Sequence, residues 1–460
     1  MRLPGFLRLR PATTPERLRR SAAAALAAVG LLFAAAAVGT AHAREGFAVI
    51  GHGAGAKVAA SGDLYYALSD MDAQTANMLL VLQRSEEDAE RAQQAYDARR
   101  DEAGRAVVQA AQLAEGDRAE ERNVREVVRG LVVYQRLVTE ARVLARQDAD
   151  PDPPEEAVEL YREATDLMRL ELLPKAYNLT LDSGATVRAT YEDKRASVLL
   201  WAGLTGGAGL LAVAALLWTH HEASARFRRV VNPAIAAAVA GAVGPTVAAA
   251  GVLVLQAERM RQAKEEGLDP ILALSRVRAV CTGMNGDQSR FLLDREGADT
   301  YEQVYLQNAR SLLYVEGDDL GDYYDGVDRA VGEYPKGEGM LGILGREAGE
   351  LAEQGRSGEV DDVLRAYRAF TRADWELRRT ASEDGPGAAV EVRVDEVQRA
   401  YEDFDAAVVE LKDTHGRNYE EAVRAGDRGL TGWDWGLPAA ALALAVLVVA
   451  GIYPRLAEYR

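Results

Sequence analysis

Four stretches of the chain, residues 22–41, 198–218, 234–255 and 436–453, contain no Asp, Glu, Lys or Arg. About 30 Å of hydrocarbon is crossed by roughly 20 apolar residues in a helix, and a backbone without water must satisfy its own hydrogen bonds. Each stretch therefore predicts one membrane-spanning helix. Aromatic residues bracket two of them, Trp201 and Trp218 the second, and Trp433, Trp435 and Tyr453 the fourth, as expected where ring and headgroup meet. The third is Ala-rich, with Pro245 at its middle, and is expected to insert as a hairpin with the second.

The charges between the stretches predict how they are oriented. The N-terminal tail, the loop after the second stretch and the C-terminal tail together carry 11 basic residues against 3 acidic ones. Residues 44–197 carry 20 basic and 29 acidic residues, and residues 257–432 carry 23 and 38. An excess of Lys and Arg in short flanking segments marks the cytoplasmic side. The layout follows: a cytoplasmic tail (1–21), a first span (22–41), an outer domain (44–197), a second span (198–218), a cytoplasmic loop (219–233), a third span (234–255), a second outer domain (257–432), a fourth span (436–453) and a cytoplasmic tail (454–460). This is a multi-pass protein of the plasma membrane with both termini inside. The small-x-small site Ala41-His42-Ala43 offers the alternative that the first stretch is a cleaved signal peptide, although the stretch is longer than the usual 7 to 15 apolar residues. Cleavage would move neither outer domain.

Both outer segments read as helical, with core positions alternating by three and four. In the first, Leu64, Leu68, Met71, Thr75, Met78 and Leu82 form one stripe. Val124, Val127, Leu131, Tyr134, Val138, Ala141 and Ala145 form another, and Ala157, Leu160, Ala164 and Leu167 begin a third. In the second, the stripes are Leu274, Val277, Cys281, Met284, Gln288 and Phe291, then Val390, Val394, Val397, Tyr401, Phe404, Val408 and Leu411. Pieces recur in order: Ala67-Leu68-Ser69 matches Ala273-Leu274-Ser275, and residues 156–168 parallel 396–408. The expected fold is all-α, with two coiled-coil-like four-helix bundles in tandem, arisen by internal duplication and open to homodimerisation through their stripes. The halves differ at residues 316–342, a Gly-rich acidic insertion with Asp318, Asp319, Asp322, Asp325 and Asp328. It reads as a solvated loop with short helical turns, since the spacing of a calcium loop is missing.

No catalytic signature is present: no phosphate loop, no HExxH, no Gly-x-Ser-x-Gly elbow. The chain is not expected to be an enzyme or to hold a cofactor or a metal, and its net charge of −17 opposes nucleic-acid binding. Adjacent His220 and His221 would face apart on a helix, and Cys281 sits at a stripe position as a small buried side chain. Pro174 and Pro245 are hinge candidates, because proline removes a helical hydrogen bond. Gly203 and Gly207 are spaced for close helix packing. Spans without ionisable residues argue against a transporter. The cytoplasmic segments are too short to fold a signalling domain, so any message must pass to a separate protein. Arg226, Phe227, Arg228 and Arg229 are the candidate contact, for that partner or for anionic lipid.

The run Leu64-Tyr65-Tyr66-Ala67-Leu68-Ser69-Asp70-Met71-Asp72-Ala73, with Tyr161-Arg162-Glu163-Ala164, Leu172-Leu173-Pro174 and Leu272-Ala273-Leu274-Ser275, resembles the GlnX-type four-pass membrane sensors of actinobacteria. The layout match covers almost the whole chain. After Ala73 the sequence departs from the family pattern, running Asn77-Met78-Leu79-Leu80. The resemblance implies a sensor of amino-acid availability that takes its signal from a solute-binding lipoprotein and relays it to a soluble Ser/Thr kinase. It supplies no binding residue. The long-range field of two acidic outer domains opposes an anionic amino acid, so direct binding would need a buried Arg cluster. The competing expectation is a structural or scaffolding protein of the cell envelope that transmits nothing.

Overall fold

A helix that is apolar on every face has no water-facing side, and it must be covered by protein or by lipid. In a computed structural model of the chain, which describes residues 14–49, 51, 55–82, 84, 86–114, 117–147, 152–227, 233–336 and 340–457, both solutions occur. The described residues are almost all helical, without a strand. They fall into two compact units.

The first unit gathers residues 1–52, 187–263 and 420–460. It holds α1 (Thr14–Ala48), the later part of α6 (Leu173–Phe227), α7 (Pro233–Gln262), the end of α14 (Gln398–Leu430) and α15 (Trp433–Ala457). Four helices here are long and apolar enough to cross a membrane, within Glu16–Ala48, Arg188–Glu222, Pro233–Leu293 and Pro386–Pro454. The core is made of Leu32, Ala212, Leu216, Ile235, Leu444 and Val448. Meanwhile Leu210 is 74% exposed and Leu442 68%. Apolar side chains facing outward all round are what lipid solvates, which makes this a membrane protein.

Close packing within the unit falls on glycines other than those picked from the sequence. Gly203 and Gly207 are exposed, and a methyl group at either would meet nothing. The packed face of α6 is the one carrying Ala202, Thr205, Gly209, Ala212 and Leu216. At Gly209 a methyl group would lie 2.0 Å from the Thr246 side chain, so that residue is the site of close approach between α6 and α7. The Gly-x-x-x-Gly spacing is correct for packing, but it lies off the packed face. Pro245 stands inside α7. Pro174 is the second residue of α6 and follows a π-helical turn, Met168–Leu172. That wide turn accommodates the missing N–H, so the coil passes the proline without a break.

The second unit gathers residues 53–186 and 264–419. Its elements are α2 (Gly55–Val81), α3 (Glu86–Leu113), α4 (Arg118–Gln147), α5 (Glu155–Leu167), the start of α6, α8 (Asp269–Leu293), α9 (Ala298–Leu312), α10 (Leu320–Glu333), α11 (Gly342–Glu353), α12 (Asp361–Glu383), α13 (Pro386–Val392) and the first part of α14, entered through a π-helical turn at Arg393–Val397. The sequence reading expects the two segments as separate bundles in tandem. In the structure they share one core. The cause is the central pair α2 and α8, which run parallel with Gly62 beside Ser275, Ser69 beside Gly283 and Ala73 beside Gly286. Residues 66–76 of α2 and 284–290 of α8 are buried on all faces, and such helices can be covered only by elements from both halves.

The expected stripes are inside. Every member of the α2 and α4 stripes is buried, as are Leu274, Val277, Cys281 and Met284 on α8 and Tyr401, Phe404, Val408 and Leu411 on α14. The acidic insertion differs from a solvated loop, because much of it is α10. Asp319 caps that helix, accepting from the Asp322 N–H at 2.9 Å, and Leu320, Tyr323 and Val327 point into the core. Asp328 pairs with Arg368 at 2.6 Å and Arg372 at 2.5 Å on α12.

Replacing Gly209 by Ile is expected to destabilise the full chain in detergent by about 1–3 kcal/mol, the usual cost of overpacking. The same change at Gly203 or Gly207 should leave the thermal unfolding midpoint within experimental scatter. Equal losses at all three positions would contradict the assignment of the packed face.

Candidate functional site

Charged groups inside a helical core cost several kcal/mol each unless they are paired and hydrogen-bonded. The α2/α8 pair carries several such groups. Arg290 on α8 is 2% exposed, with Asp72 on α2 and Asp287 on α8 at 1%. Arg290 donates from Nη1 to Asp287 Oδ1 at 2.6 Å, from Nε to the Tyr161 hydroxyl at 2.9 Å, and from Nη2 to Asp72 in a short contact. Asp72 also accepts from Thr165 Oγ1 at 2.9 Å, and the Tyr134 hydroxyl lies 2.9 Å from it. Helices α2, α5 and α8 are thus joined at one guanidinium, and α4 is tied to it through Asp72.

Local sequence explains why the group fits. Gly286 has no side chain, and a methyl group there would crowd the Arg290 guanidinium at 3.0 Å and the Ala73 Cα at 3.1 Å. Burial raises the Asp287 pKa against the pull of Arg290 and Arg169, while the Arg290 pKa is held well above its ordinary value by Tyr161, Asp72 and Asp287 against the opposing effect of burial. Arg290 therefore stays charged and neutralises the acids around it.

A second polar cluster flanks the first along α2. Ser69 donates to the Ala279 carbonyl at 3.1 Å. Asp70, 1% exposed, pairs with Arg99 at 2.7 Å. The Arg278 guanidinium stacks 3.9 Å from the Tyr66 ring centroid and grips Asp405 at 2.6 and 2.7 Å. Burial raises the Asp70 pKa despite Arg99. Between α2, α3 and α14 these residues border a groove of about 510 Å³, lined also by Gln74, Asn77, Gln398 and Glu402. A volume of that size suits a small molecule, and polar groups convergent in a cleft are what fixes one. A wider cleft of about 1140 Å³ lies between α10 and α12. Its Asp328 is already held by two arginines.

A third polar contact sits at the start of α8. His415 on α14 is 1% exposed. Its Nδ1 lies 3.1 Å from the Glu266 carbonyl and its Nε2 3.0 Å from Glu347 on α11. Both neighbours are acceptors, which suits an imidazolium that donates from both nitrogens. Burial alone pulls the His415 pKa down, but the hydrogen bonds to Glu347 and the Glu266 carbonyl outweigh it, and the pKa is raised.

With this geometry described, a comparison with known families bears on its role. Residues 46–192 match the family model described as an actinobacterial sensor domain. The match spans about a third of the chain and takes in α2 to α5, hence Tyr66, Asp70, Asp72, Tyr134, Tyr161 and Thr165. It supports a sensor role. Arg278, Asp287, Arg290 and Asp405, which complete the two polar clusters, come from beyond the matched segment. No curated protein matches the chain.

None of the hinge, packing and contact candidates lines the groove, whereas Tyr66 and Asp70 of the run Leu64 to Ala73 and Val394 and Tyr401 of the stripe Val390 to Leu411 do. Pro174, Pro245, Gly203 and Gly207 lie on α6 and α7. Arg226 and Phe227 end α6 with side chains outside the described residues, and Arg228 and Arg229 lie outside them altogether. The buried charges escaped the stripe reading, which treats every Asp or Arg as solvent-facing. A usable signal exists in Ser69-Asp70-Met71-Asp72-Ala73-Gln74-Thr75 and Thr282-Gly283-Met284-Asn285-Gly286-Asp287-Gln288-Ser289-Arg290. Both are helical segments whose polar and small residues fall on every face.

Two predictions follow from these partners. Arg290→Met leaves Asp72 buried without a counter-charge and Asp287 with only Arg169 at 3.7 Å, and is expected to cost about 3–5 kcal/mol in denaturant unfolding of the full chain. Adding Asp72→Asn and Asp287→Asn should recover a large part of that loss; a further drop would show that the charges are not what matters. For His415, the folded pKa lies above the ordinary value of 6.5, so its contribution is present at acidic pH and lost as pH rises through the folded pKa. Thermal unfolding followed from about pH 6 to about pH 9 should show a pH-dependent loss that His415→Gln reduces.

Proposed function

We propose that the chain is a non-catalytic transmembrane sensor that relays an extracytoplasmic signal to a separate cytoplasmic protein. The observation that carries this reading is the sensor-domain match over α2 to α5, the elements that hold Asp72, Tyr134 and Tyr161 against Arg290 of the other half. A change in how the first segment is held must alter the second through that seam.

Three further features favour relay. The acidic residues concentrate in segments 44–197 and 257–432, while the short flanking pieces are basic, which assigns the helical unit to the extracytoplasmic side and both termini to the cytoplasm. Helix α6 is unbroken from Leu173 to Phe227 and so includes residues of both units. Finally, the loop 219–233 between the second and third spans is basic, with Arg226, Arg228 and Arg229, which suits contact with a partner. By the resemblance stated above, the input is amino-acid availability presented by a solute-binding lipoprotein and the recipient is a Ser/Thr kinase, with Arg226, Phe227, Arg228 and Arg229 as its contact. The parallel α2/α8 pair also suits an origin by internal duplication.

The test is co-purification of the full chain from detergent with and without added amino acids. Ligand-dependent capture of a binding protein or a kinase is expected, and partners indifferent to every amino acid would favour the scaffolding alternative. A cysteine introduced at Ser224 should resist membrane-impermeant labelling of intact cells, and ready labelling there would reverse the orientation.

A further inference from the structure

Arg393 is fully buried, yet its guanidinium meets only neutral acceptors. Nε donates to Ser289 Oγ at 2.9 Å, Nη2 to the Asn285 carbonyl at 3.0 Å and Nη1 to Gln398 Oε1 at 3.3 Å. Two other guanidiniums of this unit, the buried Arg290 and the largely covered Arg378, each have a carboxylate within reach, Asp287 at 2.6 Å and Asp374 at 2.9 Å. No carboxylate among the described residues forms an ion pair with Arg393, and burial pulls its pKa down to about 10. The α8 turn that holds it also keeps both amide atoms of Gln288 and the side-chain oxygen of Asn285 buried without a partner.

On the opposite side Gln398 separates Arg393 from the groove. Its Nε2 donates to Glu402 Oε1 at 2.8 Å, and both residues line the groove. The remaining acids of the lining are each matched by an arginine: Asp70 by Arg99 at 2.7 Å, Asp88 by Arg91 at 2.6 Å and Asp405 by Arg278 at 2.6 Å. One positive charge behind the wall and one negative charge on it are left over, bridged by a single amide. Arg393 also opens the π-helical turn that leads into α14, and such turns are frequent at functional sites.

We propose that this groove binds a small zwitterion, whose carboxylate takes the place of the Gln398 amide on Arg393 and whose ammonium group pairs with Glu402. The exchange replaces a long hydrogen bond to a neutral amide oxygen with an ion pair to a carboxylate and supplies the counter-ion that the buried guanidinium lacks. Its use as a sensory input rests on the sensor reading, whereas the binding itself is a property of the chain alone.

The experiment is titration of the purified full chain in detergent, without partners, with the twenty standard L-amino acids, and with acetate and ethylamine as half-ligands, read by calorimetry and thermal shift. At least one amino acid is expected to bind, roughly tenfold or more tighter than either half-ligand. Glu402→Gln, at an exposed position, should weaken that binding about tenfold without moving the unfolding midpoint of the free protein. Gln398→Ala should retain binding, since it uncovers Arg393. Binding by no amino acid, or an affinity unchanged by Glu402→Gln, overturns the proposal. Those failures leave partner capture untouched, while intact binding with partners that ignore it would sink the relay and not the groove.

Discussion

The seam at Arg290 is the contact on which the rest of the helical unit depends. A guanidinium with Asp72, Asp287 and Tyr161 around it tolerates only a narrow set of positions for four helices. Apolar packing alone would be more permissive, because hydrophobic side chains of similar volume can exchange partners at little cost. Fixing α2 against α8 also fixes what those helices carry: Ser69 on the Ala279 carbonyl, Tyr66 under Arg278, and Asp70 opposite Arg99. The groove is the space left between α2, α3 and α14 once those contacts are made.

Such a seam couples the two segments mechanically. Because Asp72 and Arg290 come from different segments of the chain, parting them strips Asp72 of its counter-charge while Arg290 keeps Asp287, and the penalty for an unpaired buried charge makes intermediate arrangements costly. An element of that kind tends to have discrete states, which is the requirement for transmission rather than gradual deformation. His415 adds a second tie between α14, α11 and the π-helical turn that precedes α8.

Much of this was legible in the sequence, and the limits have identifiable causes. The apolar stretches and the stripes at Leu64 to Leu82, Val124 to Ala145 and Val390 to Leu411 follow from periodicity, because burial of a helix face is a local property of the residues on it. The joining of two segments into one unit was not legible. It depends on α2 and α8 being buried all round, and a period-seeking reading assigns their Asp, Gln and Arg residues to water. The packed face of α6 was hidden for a related reason: Gly203 and Gly207 satisfy the motif but are exposed in the chain, where the buried face carries Ala202, Thr205 and Gly209. Asp319 as a helix cap was within reach of the sequence, since an aspartate before Leu320 and ahead of an apolar 3-4 pattern marks an N-terminus. The density of acidic residues obscured it.

Arg290 and Arg393 show what a buried arginine means in its surroundings. Both are inaccessible, and both lie against the same stretch of α8. Arg290 has its carboxylates supplied by the chain, so its charge is satisfied in every state that keeps the seam closed, and its role is to hold helices together. Arg393 has only hydroxyl, carbonyl and amide oxygens, which solvate a cation without neutralising it. A core that merely needed to fill that volume would do better with an apolar side chain. Keeping a charge there is understandable if an anionic group arrives from outside, and a local pocket of that kind is what an acidic surface requires before it can accept a carboxylate at all. The surrounding negative field then works in favour of selectivity: it disfavours ligands with net negative charge and leaves those whose carboxylate is balanced by an ammonium group.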